Sequence, residues 1–175
     1  MLLLGDGGVG KTSIRHRYMG EGFKQNYLQT IGADFAVKRL VEDGSQVAQI
    51  WDLAGQPRFS VVRSGYYIGC KGAILVFDIS RPESFYSLPD WITELMNNVG
   101  VGEPLPMVLV GNKADLRDHT DNPIEVDQGE EYAKQLSDWA NMEVPFLESS
   151  ALTGFNVDKV FNSLIVNIDT KFHPF

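Results

Sequence analysis

The stretch Gly5-Asp6-Gly7-Gly8-Val9-Gly10-Lys11-Thr12-Ser13 decides how the rest of the chain is read. It fits the phosphate-loop pattern G-x-x-x-x-G-K-[ST] at every defined position. Leu2-Leu3-Leu4 before it reads as a buried strand, and residues 13–19 run on as a helix. That strand–loop–helix context is what the motif requires. The glycines let the backbone curl with its N–H groups inward, a nest for phosphate oxygens. The helix behind adds the positive end of its dipole. Lys11 reaches the outer phosphates of such a ligand, and the Thr12 hydroxyl can ligate a Mg²⁺ that bridges them. The plain alternative, a glycine-rich turn before a helix, rarely produces the whole pattern at ordinary glycine usage. The loop is read as a site for a nucleoside di- or triphosphate.

At 175 residues the chain reads as one domain, residues 1–175. Its composition is that of a soluble globular protein, with no apolar run long enough to span a membrane. The single cysteine, Cys70, excludes an internal disulfide and reads as a small apolar residue at a strand start. The net charge of −8 argues against nucleic acid or anionic lipid as the main partner. An acidic chain binding an anionic nucleotide must gather positive potential locally. Both ends look trimmed, and they carry no signal peptide, myristoylation pattern or prenylation box. A membrane is therefore expected to be reached only through segments absent from this chain.

Strand and helix patterns alternate outward from the loop. Residues 20–32 form a polar segment of functional length. Residues 35–41 and 47–51 flank Asp43-Gly44 and read as an antiparallel hairpin. Residues 52–65 read as a loop with weak helical potential after Arg58. Residues 73–77 are continuously apolar, like a central parallel strand. Ser80-Arg81-Pro82-Glu83 looks like a capping box, ahead of a helix with Phe85, Leu88, Trp91, Ile92, Leu95 and Met96 on its inner face. Residues 107–110 and 145–148 read as further strands, 117–127 as a charged loop and 128–140 as a helix. Asn156 is expected to cap the last helix. The expected fold is α/β: a doubly wound, six-stranded, mostly parallel sheet with one antiparallel strand and helices on both faces. Ligand is expected at the carboxyl ends of its strands.

Three more clusters follow buried strands. In Trp51-Asp52-Leu53-Ala54-Gly55-Gln56, a carboxylate closing a strand can hold a Mg²⁺-bound water. Gly55 can offer its N–H to a terminal phosphate, and Gln56 can orient water. In Asn112-Lys113-Ala114-Asp115 the last carboxylate can accept two hydrogen bonds from a base edge. Guanine offers donors at N1 and the 2-amino group; adenine offers neither. Backbone N–H groups of Ser149-Ser150-Ala151 can donate to a guanine carbonyl.

Four clusters in this order, each at a strand end, make the chain resemble a Ras-superfamily small GTPase, a P-loop NTPase, over essentially its whole length. Ile31-Gly32-Ala33-Asp34-Phe35, Arg58-Phe59, Tyr66-Tyr67-Ile68-Gly69 and Leu75-Val76-Phe77-Asp78-Ile79 make it most similar to the Rab branch. The resemblance implies a switch that binds GTP or GDP with Mg²⁺ and hydrolyses GTP slowly. It implies effector binding through switch I (residues 21–35) and switch II (52–67), and an exchange factor and an activating protein as partners. It places Thr12, Thr30 and Asp52 at the metal and Gln56, Thr30, Lys11 and Gly55 at the reaction. By the same resemblance Phe23 would pack edge-on against the base, Tyr27 would close over the phosphates, and Asn112 and Lys113 would brace the base that Asp115 would read. Leu116, Ser150, Ala151 and Leu152 complete the base pocket. A cytoplasmic location, including the cytosolic face of membranes, follows from the same likeness.

The chain departs from the family at several positions. Leu53 stands where Rab proteins usually carry threonine, Leu152 where lysine often follows Ser-Ala, and Met1 shortens the first strand. Gly7 leaves room for a catalytic glutamine and an inserted arginine. The only basic residue near Thr30 is Lys24, so no internal arginine is visible there, and an activating protein is expected to supply one. Pro57 replaces an acidic residue. It either displaces Gln56 and slows hydrolysis and factor-driven exchange, or merely starts a helix. Two other functions stand beside the switch. One is a Rab-like scaffold with negligible turnover; the other, a small-molecule kinase or ATPase, lacks an arginine-rich lid.

Overall fold

Five apolar runs lie side by side as parallel strands: β1 (Leu2–Leu4), β3 (Val47–Leu53), β4 (Ala73–Asp78), β5 (Met107–Asn112) and β6 (Phe146–Ser149). The sixth, β2 (Ala33–Arg39), pairs antiparallel with β3, Phe35 opposite Trp51. The sheet order is β2-β3-β1-β4-β5-β6, the expected architecture. The computed structural model describes residues 1–23, 29–100 and 104–172.

The period of two along each strand divides the apolar runs between two cores. Leu3, Ile74, Val76, Val108 and Val110 pack on one face against Ile14 and Tyr18 of α1 (Lys11–Tyr18) and Val160, Phe161 and Leu164 of α6 (Val157–Phe172). Leu2, Leu4, Leu75, Phe77, Met107 and Leu109 face the other way. They meet Tyr67 of α2 (Ser60–Tyr67), Leu88, Trp91 and Leu95 of α4 (Leu88–Asn98), and Ala133 and Leu136 of α5 (Val126–Ala140). From β1 the chain leaves first toward β3 and then returns to β4 on the other side. This reversal opens a crevice at the carboxyl end of β1, where such sheets bind ligands. Among the described residues no helix is long and apolar enough to cross a membrane.

Four local expectations are corrected. Residues 57–67 are helical: a 3₁₀ turn, Pro57–Phe59, leads directly into α2. The helix expected through 85–96 is broken into α3 (Pro82–Tyr86) and α4, because Pro89 has no N–H to give the carbonyl of Phe85. The capping box at residues 80–83 does not form. The Ser80 hydroxyl donates to Asp78 Oδ1 (2.6 Å), and the turn is tied instead by Ser84 Oγ donating to the Arg81 carbonyl (2.7 Å). Asn156 stands at the head of α6 with φ 56°, its carbonyl accepting from Val160, but its side-chain amide donates to the Glu148 carbonyl (2.9 Å). A capping box appears where none was expected, between Glu125 and Gln128 at the start of α5.

Candidate functional site

The loop of residues 5–13 joins β1 to α1 at the crevice. Two of its glycines are obligatory. A Cβ on Gly5 (φ +137°) would lie 2.0 Å from the Val76 carbonyl, and one on Gly10 (φ +101°) 2.2 Å from the Asn112 amide. Lys11 is buried, and its ammonium donates to the carbonyls of Gly5 (2.6 Å) and Asp6 (2.8 Å), folding the loop around its charge. Burial pushes its pKa down to about 8, opposed by Asp52 and Asp6. The cleft in front is lined by Gly7, Gly8 and residues 10–13 on one side and Thr30, Leu53, Gly55 and Gln56 on the other.

Three oxygen side chains converge here from α1, the segment before β2 and β3. Thr12 Oγ1 donates to Asp52 Oδ2 (2.5 Å) and lies 3.1 Å from Thr30 Oγ1, which is itself 3.5 Å from Asp52 Oδ2. Asp52 is fully buried, and its Oδ1 has no hydrogen-bond partner. Burial pushes its pKa up, countered by the Thr12 hydroxyl and the charges of Lys11 and Arg15. An orphaned carboxylate oxygen beside two hydroxyls suits a hard, oxygen-seeking cation such as Mg²⁺. Among the described residues no group of three His, Cys, Asp or Glu could hold a metal, so such a cation would also need oxygens from its ligand.

Gly55 lies directly against this loop: a Cβ there would stand 2.3 Å from the Gly7 nitrogen. The amide nitrogen of Gln56 is 3.3 Å from where a Gly7 Cβ would be, while Gln56 Oε1 is buried without a partner. Gln56 is extended (φ −85°, ψ 140°), as a residue before proline should be, and Pro57 opens the 3₁₀ turn.

At the other end, Asn112 bridges two loops. Its amide donates to the Val9 carbonyl (2.8 Å), and its Oδ1 accepts from Ser149 Oγ and the Ala151 N–H, both at 3.2 Å. That Ala151 N–H, expected to face a base, is thus engaged within the protein. Lys113 adopts a left-handed conformation (φ 67°) and pairs with Asp78 Oδ2 (2.6 Å). Asp115 and Leu116 sit on the 3₁₀ turn Ala114–His119, with Asp115 accepting from the Ser150 hydroxyl. Leu152, which follows the Ser149–Ala151 turn, and Phe23, which ends the described part of the first loop, are both exposed. Tyr27 lies outside the described residues.

Several charged residues escape sequence reading. Arg63 of α2 is 2% exposed. It donates to the carbonyls of Ala54 and Gln56, both at 2.8 Å, and grips both oxygens of Glu94 on α4 (2.7 and 2.6 Å). Tyr67 donates to the same carboxylate (2.6 Å). The guanidinium lies 4.5 Å from the Trp91 ring, whose N–H donates to Asp6 Oδ1 (2.8 Å). Arg15 of α1, also buried, pairs with Asp34 of β2 at 2.5 Å. Arg81 donates to the Gly7 carbonyl (2.8 Å). A lone arginine within Val61-Val62-Arg63 is the one local clue; nothing in its spacing points to Glu94. Beside α2 the sheet edge shows an aromatic row, with Phe35 4.9 Å from Trp51 and Trp51 5.0 Å from Tyr66. Ile31, Val61 and Ile68, close to these residues in sequence, are exposed.

A glycine-rich loop folded on a buried lysine at the switch point of a doubly wound sheet, with an oxygen cluster in front, is the architecture of a P-loop α/β protein. The Ras family model matches residues 1–170, and the chain belongs to the Ras family. Among its relatives, the Ypt/Rab-type GTPase YPT7 of Saccharomyces cerevisiae is 37% identical over 168 residues, covering 94% of this chain and 78% of the relative. Ras-related protein Rab-12 of Mus musculus is 39% identical over 172 residues, covering 98% of this chain and 67% of the relative. Ras-related protein RABD2a of Arabidopsis thaliana is 36% identical over 172 residues, covering 98% and 80%. The chain is Rab-like in sequence and a small GTPase by family.

Proposed function

We propose that this chain is a guanine-nucleotide switch that binds GTP or GDP with Mg²⁺, hydrolyses GTP slowly and captures effectors in Rab-like control of membrane traffic. The observation that carries this reading is the meeting of Thr12, Thr30 and Asp52, with Asp52 Oδ1 orphaned, in front of the loop that holds Lys11. Mg²⁺, when bound there, neutralises charge on the outer phosphates. Loop N–H groups and Lys11 hold those phosphates, Gly55 offers its N–H to the γ-phosphate, and Gln56 with the Thr30 carbonyl orients the attacking water. Asp115 reads guanine. Losing the γ-phosphate frees Thr30 and Gly55, which changes the surface of residues 21–35 and 52–67 that effectors touch, including the aromatic row. An exchange factor and an activating protein work on that surface. The chain acts in the cytoplasm, including at the cytosolic face of membranes.

A second reading, a scaffold with negligible turnover, draws on the Arg63 bonds that fix the carbonyls on both sides of Gly55. Identifying the nucleotide that co-purifies and following single-turnover hydrolysis with Mg²⁺ separates the two. Bound guanine nucleotide with measurable conversion of GTP supports the switch, and bound but unconverted GTP supports the scaffold. A purified chain with no affinity for GDP or GTP rejects both.

A further inference from the structure

Arg81 stands at the turn between β4 and α3, 74 residues from the phosphate loop it touches. Its backbone is fixed on both sides. The N–H donates to the Asp78 carbonyl (3.0 Å), its own carbonyl accepts from Ser84 Oγ (2.7 Å), and Pro82 restricts Arg81, the residue before it. The side chain is therefore aimed by a rigid turn. Nη2 donates to the Gly7 carbonyl (2.8 Å), and Nη1 lies 3.5 Å from the place a Gly8 Cβ would take. Gly7 is flanked by two side chains, the Gln56 amide and the Arg81 guanidinium.

The charge of Arg81 is unlike that of its neighbours. Arg63 is neutralised by Glu94 and Arg15 by Asp34. Among the described residues no carboxylate forms an ion pair with Arg81, although the chain carries a net charge of −8. A half-buried guanidinium with no carboxylate partner keeps a charge that an arriving anion can satisfy. Only one of its five N–H donors is used by the Gly7 carbonyl.

We propose that Arg81 is an internal arginine for the outer phosphates, contacting the bound nucleotide near its β–γ bridge and stabilising the charge that gathers there during hydrolysis. This rests on the nucleotide-switch reading. In the step concerned, a water oxygen bonds to the γ-phosphorus and the bond from that phosphorus to the bridging oxygen breaks. The electron pair stays on GDP, and the proton lost by water goes to the released phosphate. A guanidinium held beside the loop gains most from the bridging oxygen as its negative charge grows. Sequence reading looked for such a residue only near Thr30, whereas the fold delivers it from the far side of the loop.

The test uses the chain with Arg81→Ala, Arg81→Lys and Arg81→Gln. Single-turnover GTP hydrolysis should fall about 10- to 100-fold in Arg81→Ala, with lysine restoring part of it and glutamine none. GDP affinity should stay within about threefold of the parent, because the Arg81 bond to the Gly7 carbonyl is made within the protein. Independently of turnover, the parent should form a complex with GDP and aluminium fluoride, without an activating protein, and Arg81→Ala should not. Hydrolysis unchanged in Arg81→Ala, or restored by glutamine, overturns the inference and makes Arg81 a brace for the Gly7 carbonyl. Equal losses of GDP and GTP-analogue affinity, with hydrolysis of the bound fraction unchanged, overturn it as well. If the parent itself binds no guanine nucleotide, the switch reading falls and takes this inference with it.

Discussion

The two ends of the site are built from different materials. The phosphate end is a gathering of buried charge: Lys11, Asp52 and Arg63 are almost wholly shielded, with Arg81 against the loop. The base end relies on hydrogen-bonding groups, the Asn112 amide linking Val9 to Ser149 and Ala151, with Ser150 donating to the Asp115 carboxylate. Desolvated charge grips any polyphosphate strongly but discriminates little among bases. Oriented donors and acceptors contribute less energy each, yet fix which base fits. Affinity and selectivity are thus expected to separate along the cleft.

The sharpest way to break this division is Asp115→Asn. The swap puts a donor where guanine presents its own donors, removing two charge-assisted bonds of about 1.5 kcal/mol or more each. Guanine-nucleotide affinity should fall at least about a hundredfold, and xanthine-nucleotide affinity should rise. Competition between GDP and XDP for the mutant measures it. A mutant that still prefers GDP shows that selectivity lies elsewhere.

The phosphate end has its own weak point in Glu94. Replacing it with alanine strands the buried Arg63 charge and should cost about 3 kcal/mol of stability, read by denaturant unfolding. The pH dependence has a definite sign. Burial pulls the Glu94 carboxyl upward, but the hydrogen bonds from Arg63 and Tyr67 and the Arg63 charge outweigh it and hold it below its ordinary 4.5. A carboxyl depressed by folding contributes its full stability above about 4.5 and loses it as pH falls through the lower folded value. Thermal midpoints of the parent should therefore drop more steeply below pH 4.5 than those of Glu94→Gln. Parallel curves would mean that the carboxylate is not coupled to folding.

What was legible in the chain follows the range of the interactions. The loop of residues 5–13 carries its own conformational demands in its glycines and was readable directly. So were the buried strands at Leu2-Leu3-Leu4, residues 73–77 and 107–110, because their apolar runs are continuous. The hairpin at Asp43-Gly44 was local too: Asp43 Oδ1 accepts the Ser45 N–H (2.8 Å). Helix α2 was mostly missed because Val61, Val62 and Gly65 are poor helix formers. It is held by Arg63 and Tyr67 reaching Glu94, 31 and 27 residues away. Arg81 was read as part of a cap, and its real partner is 74 residues distant. Pairings of that separation leave no periodic trace.

A smaller effect tests how tightly the two ends are joined. Asn112→Ala removes the bond to Val9 and leaves the Ala151 N–H and Ser149 hydroxyl without their acceptor. Stability should fall by about 1–3 kcal/mol. GDP and GTP affinities should fall together, because the bridge serves loop and base turn alike. Isothermal titration with both nucleotides checks this. If only one nucleotide is affected, the ends are independent and Asn112 belongs to one of them.

The smallest effect concerns Pro57, where the sequence allowed two outcomes. Proline does leave Gln56 extended, yet it also occupies the first position of a 3₁₀ turn, where a missing N–H leaves no bond broken. More telling is what holds Gln56. Its carbonyl accepts from Arg63 Nη1 (2.8 Å) and from the Phe59 N–H (3.1 Å), and neither bond involves the proline ring. The Gln56 backbone should therefore keep its place in Pro57→Glu, and single-turnover hydrolysis should stay within about twofold, a barrier change of about 0.4 kcal/mol. GDP release driven by an exchange factor is a different matter. A carboxylate at 57 would offer Lys11 a substitute for the departing phosphate, so release should accelerate where the factor exploits an acidic residue. Hydrolysis that changes more than twofold would show that proline, and not Arg63, sets the Gln56 geometry. Release that fails to accelerate would show that Lys11, already bonded to the Gly5 and Asp6 carbonyls, needs no such partner.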